Sequence, residues 1–309
     1  MNSQKALIGL AHPLFRAQRM KMPAAISTKI AAAPPHLWFV VSAIFHYLGP
    51  SFAVLLFANI SVLGVAWFRI ASAALIFAFW TQPWKTFRSA DRATVILLLL
   101  LGACLALMNS AFYLAIDRLP LSLVATMEFV GTIAVALFGL RALRNYAALA
   151  LAIAGVLILI DVRWSNDILG LTFAAVNALL FMTYIVLGHR ISEQGAGAGV
   201  GRLGAAMAAA FIFVMPIGFA DAVSALAHPL LILAGIGVGI SSSVIPYICD
   251  QLAMSQLPRN TYALLLALLP ATATIVGAIV LSQIPTLRDV MGILLVMAGV
   301  ALHKPATSP

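Results

Sequence analysis

Two charged side chains stand inside long apolar stretches of this sequence, where ionisable groups are rare and costly. Arg69 follows Ser61 by eight residues, and Glu128 follows Leu119 by nine. If each stretch is a membrane-spanning helix rising ~1.5 Å per residue, both charges lie about 12–14 Å deep, near the bilayer midplane. Opposite charges at one depth indicate either a buried ion pair that fixes helix packing or a shared aqueous cavity for a substrate or proton.

Other polar residues recur along single faces of neighbouring apolar segments. Asn177 and Tyr184, for example, are seven residues apart. Such stripes are typical of close helix packing, or of helices that line a central polar cavity. The second interpretation gives a set of candidates for substrate binding or coupling: Glu128, Arg69, Asn109, Asn177, Tyr184, Tyr247 and Thr132. Asp250, in contrast, lies about 30 Å along its segment, and we expect it to be solvated at the inner interface.

The segments that must position these residues are long and apolar. Of 309 residues, 63% are hydrophobic and only 9% are charged, whereas soluble domains have about 25% charged residues. In lipid the backbone must satisfy its own hydrogen bonds, so apolar spans are helices. The sequence therefore predicts an all-α integral membrane protein with about ten transmembrane helices, over residues 37–58, 61–80, 93–116, 119–139, 146–161, 168–188, 203–220, 230–252, 259–282 and 286–303.

The net charge of +9 comes mostly from Lys and Arg that flank the apolar segments, which indicates membrane orientation rather than nucleic-acid binding. With the N-terminus inside, 14 of the 18 basic residues fall on the inner side and 3 on the outer side, which predicts cytoplasmic termini. Residues 1–36 are expected to form a basic cytoplasmic extension, unless the natural start is Met20 or Met22. Residues 304–309 are expected to form a cytoplasmic tail.

The two halves of the chain resemble each other. Leu119-Pro120 recurs 138 residues later as Leu257-Pro258, with several small residues in register around it. This offset predicts two related repeats, 37–161 and 168–303, each with about five helices. An odd number of spans places the second repeat in the opposite sense to the first. Inverted repeats of this kind are typical of secondary transporters.

Several motifs resemble the EamA family of the drug/metabolite transporter superfamily, in its threonine/homoserine exporter branch. They are Asn109-Ser110-Ala111-Phe112-Tyr113, Leu119-Pro120, Met127-Glu128-Phe129-Val130-Gly131 and Trp67-Phe68-Arg69. The resemblance covers roughly residues 37–303. It implies ten helices in two inverted EamA repeats, an inner-membrane location and export of small metabolites. Two positions depart from the family pattern: Thr132 stands where Pro is usual, and Leu269-Pro270 where Glu-Pro is frequent.

Together these observations predict a secondary transporter, not an enzyme, that exports amino acids or similar small metabolites by proton-coupled alternating access. Glu128 is expected to accept a proton or a substrate ammonium, and Arg69 to hold a carboxylate or to tune Glu128. No cofactor or metal is implied, because Cys104 and Cys249 lack ligand spacing. The alternatives are an exporter of cationic drugs, a membrane enzyme acting on lipid, and a non-transporting structural or sensory membrane protein.

Overall fold

The computed structural model describes residues 34–137, 143–161, 167–193, 195–257, 262, 265–266 and 268–302. Within these residues the secondary structure is entirely helical. The helices are α1 (Pro35–Leu56), α2 (Val62–Thr81), α3 (Pro83–Ser89), α4 (Arg92–Ile116), α5 (Leu121–Leu137), α6 (Leu143–Asp161), α7 (Ile168–Ser192), α8 (Ala196–Ala222), α9 (Pro229–Met254), α10 (Leu268–Leu281) and α11 (Leu287–Leu302).

Several helices begin at residues that cap free backbone N–H groups. The Asp167 carboxylate accepts a hydrogen bond from the Gly170 amide at 2.9 Å, which starts α7 and lowers the pKa of this carboxyl below its ordinary value of 3.8. Asp167 also forms an exposed ion pair with Arg118 at 3.2 Å. At the start of α11, Thr286 and Asp289 cap each other's backbone amides reciprocally.

Six helices of the described chain are long and apolar enough to cross a membrane: α1, α2, α4, α7, α8 with its continuation to Ala227, and α9. Two shorter apolar stretches are Tyr146–Gly155, within α6, and α10. Their outward faces carry exposed apolar side chains such as Phe79, Leu179 and Ile279. Lipid solvates such faces at no cost, whereas water would not.

Two differences from the predicted spans extend the helical part of the chain. The segment from Pro83 to Ser89, between the predicted spans 61–80 and 93–116, forms the short helix α3, with Pro83 at its first position. Helix α8 begins at Ala196 rather than at residue 203, because the Gly- and Ala-rich segment before Arg202 is already helical. An apolar segment predicts the part of a helix that lies in lipid. It does not predict helical turns that extend beyond the lipid.

The packing of the helices places α9 against both α1 and α2, and α7 against both α4 and α5. Helices α2 and α8 pack on each other along the bundle, as do α6 and α11. We call the end of the bundle where α1 begins the near end, and the opposite end the far end. The polar residues at membrane depth collect where α1, α2, α4, α5, α7 and α9 meet.

Candidate functional site

A small cavity lies where these central helices meet. Its lining residues are His46, Arg69, Met108, Asn109, Phe112, Glu128, Asn177 and Tyr247. Five of the seven predicted site residues are among them. Tyr184 lies outside this lining, and the side chain of Thr132 lies outside the described residues. The free space is about 10 Å³, at the lower limit for one water molecule, so an amino acid would enter only if the helices moved apart.

Arg69, on α2, is held against α9 by a hydrogen-bond fork. Its Nε donates to the Ser243 hydroxyl at 2.8 Å, and its Nη2 donates to the Ser242 carbonyl at 2.6 Å. That carbonyl is available because the residue four positions later is Pro246, which has no N–H to donate. The chain accommodates this gap with a π-helical turn, Ile240–Val244. A proline in α9 therefore creates the acceptor that positions the buried cation.

Two glycines allow α9 to approach α1 and α2 closely enough for this contact. A Cβ on Gly239 would collide with the Ser72 hydroxyl and come within 2.9 Å of the Arg69 carbonyl oxygen. A Cβ on Gly49 of α1 would collide with the Ser242 hydroxyl and lie 2.6 Å from its backbone nitrogen. These separations are shorter than van der Waals contact, so each site excludes a side chain.

The positive charge of Arg69 has no carboxylate partner within the described residues. Its guanidinium carbon lies 5.3 Å from the centroid of the Tyr113 ring and 6.0 Å from that of Tyr247. Aromatic rings at this distance stabilise a cation without neutralising it. With a side chain only 2% exposed, Arg69 presents a desolvated positive charge to the cavity.

Glu128, on α5, faces the same cavity and is equally buried. One carboxylate oxygen accepts from the Tyr47 hydroxyl at 3.1 Å, and the other accepts from the Asn177 amide nitrogen at 2.7 Å. Neither contact comes from a cation. Arg69 and Glu128 form no direct ion pair, and both line one cavity. Of the two arrangements considered from the sequence, an ion pair and a shared cavity, the structure has the second. The Asn177 amide oxygen is buried and has no hydrogen-bond partner among the residues that the structure describes.

Asn109 and Tyr247 close the cavity between α4 and α9. The Tyr247 hydroxyl donates to the Asn109 side-chain oxygen at 3.2 Å, while the Asn109 amide nitrogen donates to the Leu105 carbonyl at 2.6 Å. His46 lines the cavity through α1, with its ring 5.5 Å from that of Tyr47 and 5.7 Å from that of Phe181. These residues give the cavity hydroxyl and amide groups beside its two charges.

The expectation that Asp250 is solvated at the inner interface is wrong. Its side chain is only 4% exposed and accepts hydrogen bonds from the Ser42 hydroxyl and, at 2.9 Å, from the Tyr184 hydroxyl. Tyr262 contacts the same carboxylate. Position along a helix axis indicates depth only, whereas the burial of Asp250 arises from α1, α7 and the segment after α9. Tyr184 therefore belongs to this second polar cluster rather than to the cavity lining.

The sequence interpretation did not select Tyr47, Ser242 or Ser42, although each contacts a buried charge. Ser242 stands four residues before Pro246, and that spacing marks a carbonyl without a helical donor. This spacing could have been used to predict the Ser242 carbonyl as the acceptor for Arg69. Ser42 and Tyr47 share α1 with other uncharged polar residues, such as Ser51, and nothing in the sequence distinguishes the ones that contact a charge.

Comparison with known proteins agrees with this architecture. The model of the EamA-like transporter family matches residues 168–303. Threonine/homoserine exporter RhtA of Salmonella typhimurium is 33% identical over 257 residues, which are 81% of this chain and 84% of that protein. RhtA of Escherichia coli K12 is 34% identical over 239 residues, 76% of this chain and 79% of its own.

A solved crystal structure has the same fold. It superposes with a TM-score of 0.53 at 18% sequence identity, over 87% of this chain and 97% of the solved chain. The extent of the sequence relationship decides the family: identity of about one third continues over most of both proteins. The chain is a member of the EamA-like transporter family, in the branch that contains the threonine/homoserine exporters RhtA.

Proposed function

We propose that this membrane transporter exports zwitterionic amino acids, such as threonine or homoserine, across the inner membrane. One observation carries the proposal: a buried cation and a buried anion, Arg69 and Glu128, face one cavity without pairing with each other. Two unpaired charges in a desolvated site are costly on their own. An α-amino acid has the complementary pair of charges on two groups bonded to the same carbon atom, and its binding would offset both costs.

The contacts of the two charges support one orientation of the substrate. The substrate carboxylate binds Arg69, whose guanidinium is already held by Ser243 and the Ser242 carbonyl. The substrate ammonium binds Glu128 and the unpartnered oxygen of Asn177. Asn109 and Tyr247 offer amide and hydroxyl groups to a substrate hydroxyl. The RhtA relatives are named threonine/homoserine exporters, and both of these amino acids have a side-chain hydroxyl group.

Transport by alternating access is part of the proposal, and the packing of the helices supports it. If the two repeats match α1 with α7, α2 with α8, α4 with α9, α5 with α10 and α6 with α11, then equivalent contacts recur. Helix α4 packs on α7 as α9 packs on α1, and α5 packs on α7 as α10 packs on α1. Rocking of two such repeats would open the cavity to each side in turn. We propose the proton gradient as the energy source.

The test is counterflow in liposomes that contain the purified full-length protein and unlabelled threonine. We expect labelled threonine to accumulate inside, and ethidium, a cationic drug, to give no signal because Arg69 repels a cation. Glu128→Gln should abolish counterflow, since the neutral amide does not attract an ammonium. The matched control is Glu193→Gln, at the exposed end of α7, which should transport like the wild type.

Either of two results would refute the proposal. The first is wild-type protein in liposomes that accumulates no labelled amino acid. The second is Glu128→Gln protein with wild-type affinity and rate, because the ammonium would then bind elsewhere.

A further inference from the structure

The cluster around Asp250 is a second buried anionic site, separate from the substrate cavity. Its three hydroxyl partners come from different parts of the chain: Ser42 on α1, Tyr184 on α7 and Tyr262 after α9. Within the described residues Asp250 forms no ion pair. The titratable groups that face it are these two tyrosines, with Tyr247 and Cys249 on its own helix. The His189 ring lies next to that of Tyr262, with 5.6 Å between the centroids of the His189 and Tyr262 rings.

These partners can accommodate both protonation states of the carboxyl group. A hydroxyl both donates and accepts, whereas an Arg or Lys only donates and would favour the ionised form. The Ser42 hydroxyl can compensate for protonation of Asp250, because it contacts both the Asp250 carboxylate and, at 3.2 Å, the Pro246 carbonyl. When Asp250 is protonated, Ser42 can accept from it and donate to Pro246. No buried polar group then loses its partner.

The cluster contacts the substrate cavity through aromatic rings. Tyr184 donates to Asp250, and its ring lies 5.4 Å from that of Tyr247, which lines the cavity. Asp250 also lies four residues before the end of α9, or about 6 Å from the near end of the bundle. A proton can reach this end by a shorter path than the one from the Glu128 site.

We propose that Asp250 carries the proton that is exchanged for the exported amino acid, while Glu128 binds the substrate ammonium. This inference rests on the function proposed above. In one cycle an Oδ–H bond forms with a proton taken from the side that receives the substrate. The same bond breaks when the near end opens, and the proton passes to water there. One proton enters for each amino acid that leaves, and no other bond changes.

The experiment separates exchange from energised transport in liposomes that hold the full-length protein. Asp250→Asn keeps the shape of the side chain and removes its titration. We expect this variant to keep threonine counterflow within about threefold of the wild type. Threonine accumulation driven by an imposed pH gradient should fall at least tenfold. Asp221→Asn, at the exposed end of α8, is the matched control and should keep both activities.

Every other outcome counts against the inference. If Asp250→Asn keeps gradient-driven accumulation, another group carries the proton. If folded Asp250→Asn protein loses counterflow as well, the carboxylate belongs to substrate binding or to the structure. Absence of counterflow in the wild type would instead refute the proposed function, and the inference with it.

A second measurement on the wild type applies if Asp250→Asn does not insert into the membrane. Dicyclohexylcarbodiimide reacts with protonated carboxyl groups that are buried in membranes. Mass spectrometry of the labelled protein should find modified Asp250, with less modification as the pH rises. Unmodified Asp250 at every pH would show that it does not take up a proton, and would overturn the inference.

Discussion

Replacing Arg69 by Lys tests whether substrate binding requires both hydrogen bonds from the guanidinium to α9 or only its positive charge. In the wild type Nε and Nη2 contact two acceptors on α9, the Ser243 hydroxyl and the Ser242 carbonyl. The Lys side chain has one nitrogen in place of this planar fork. The single ammonium cannot occupy the positions of both Nε and Nη2 and also meet the substrate carboxylate, so we expect at least one of these hydrogen bonds to be lost.

The expected loss follows from the number of hydrogen bonds. A hydrogen bond to a charged group contributes about 1.5–3 kcal/mol. Losing one of them, either to α9 or to the substrate, weakens binding roughly 10- to 150-fold at ~1.4 kcal/mol per factor of ten. The positive charge remains, so we expect Arg69→Lys to insert and to transport, with a raised half-saturating threonine concentration.

The assay is the initial rate of threonine counterflow as a function of threonine concentration. Arg118→Lys is the matched control, because Arg118 lies at the exposed far end, where its ion pair with Asp167 faces solvent. We expect the control to keep the wild-type concentration dependence. A half-saturating concentration for Arg69→Lys within threefold of the wild type would refute the argument, since charge alone would then suffice.

Two further predictions concern packing and orientation. Gly239→Ala should lower the yield of folded protein, because its Cβ collides with Ser72, and overpacking costs about 1–3 kcal/mol. At Gly237, two residues away, an added Cβ would contact no other part of the described chain within 4 Å, so Gly237→Ala should leave the yield unchanged. Equal yields of the two variants would contradict this packing. Reporter fusions after Pro309 and near Asp221 should report opposite sides of the membrane, with Pro309 in the cytoplasm. A shared side would exclude the predicted topology.

The sequence was sufficient to predict an all-helical membrane protein and a common level for the two central charges. The span predicted at 168–188 is helix α7, Ile168–Ser192, and counting along α2 and α5 brought Arg69 and Glu128 to one cavity. Apolar length and the rise per residue determine these features, and both can be read from one segment at a time. The prediction of two inverted five-helix repeats stays a prediction.

The partners of the charges could not be predicted in the same way. Glu128 contacts Tyr47 and Asn177, which are 81 and 49 residues away in the chain. Asp250 is buried by helices that no count along α9 reveals. Such contacts depend on how helices are rotated about their axes and on which neighbours they meet. Periodicity indicates a polar face, but it does not indicate the residue that the face meets.

Because the hydrogen-bond acceptors of Arg69 lie on α9, α2 must enter the membrane before these acceptors have been synthesised. Arg69 and Ser243 are separated by 174 residues, so α2 is made long before α9. At about 5–20 residues per second, the ribosome needs roughly 10–35 s to reach the acceptors. During this interval α2 holds a charged residue in the bilayer at a cost of about 2.5–3.5 kcal/mol on insertion scales. The helix remains strongly apolar, with a mean hydropathy of 2.0 over 18 residues that include Arg69, and this offsets the cost until α9 is made.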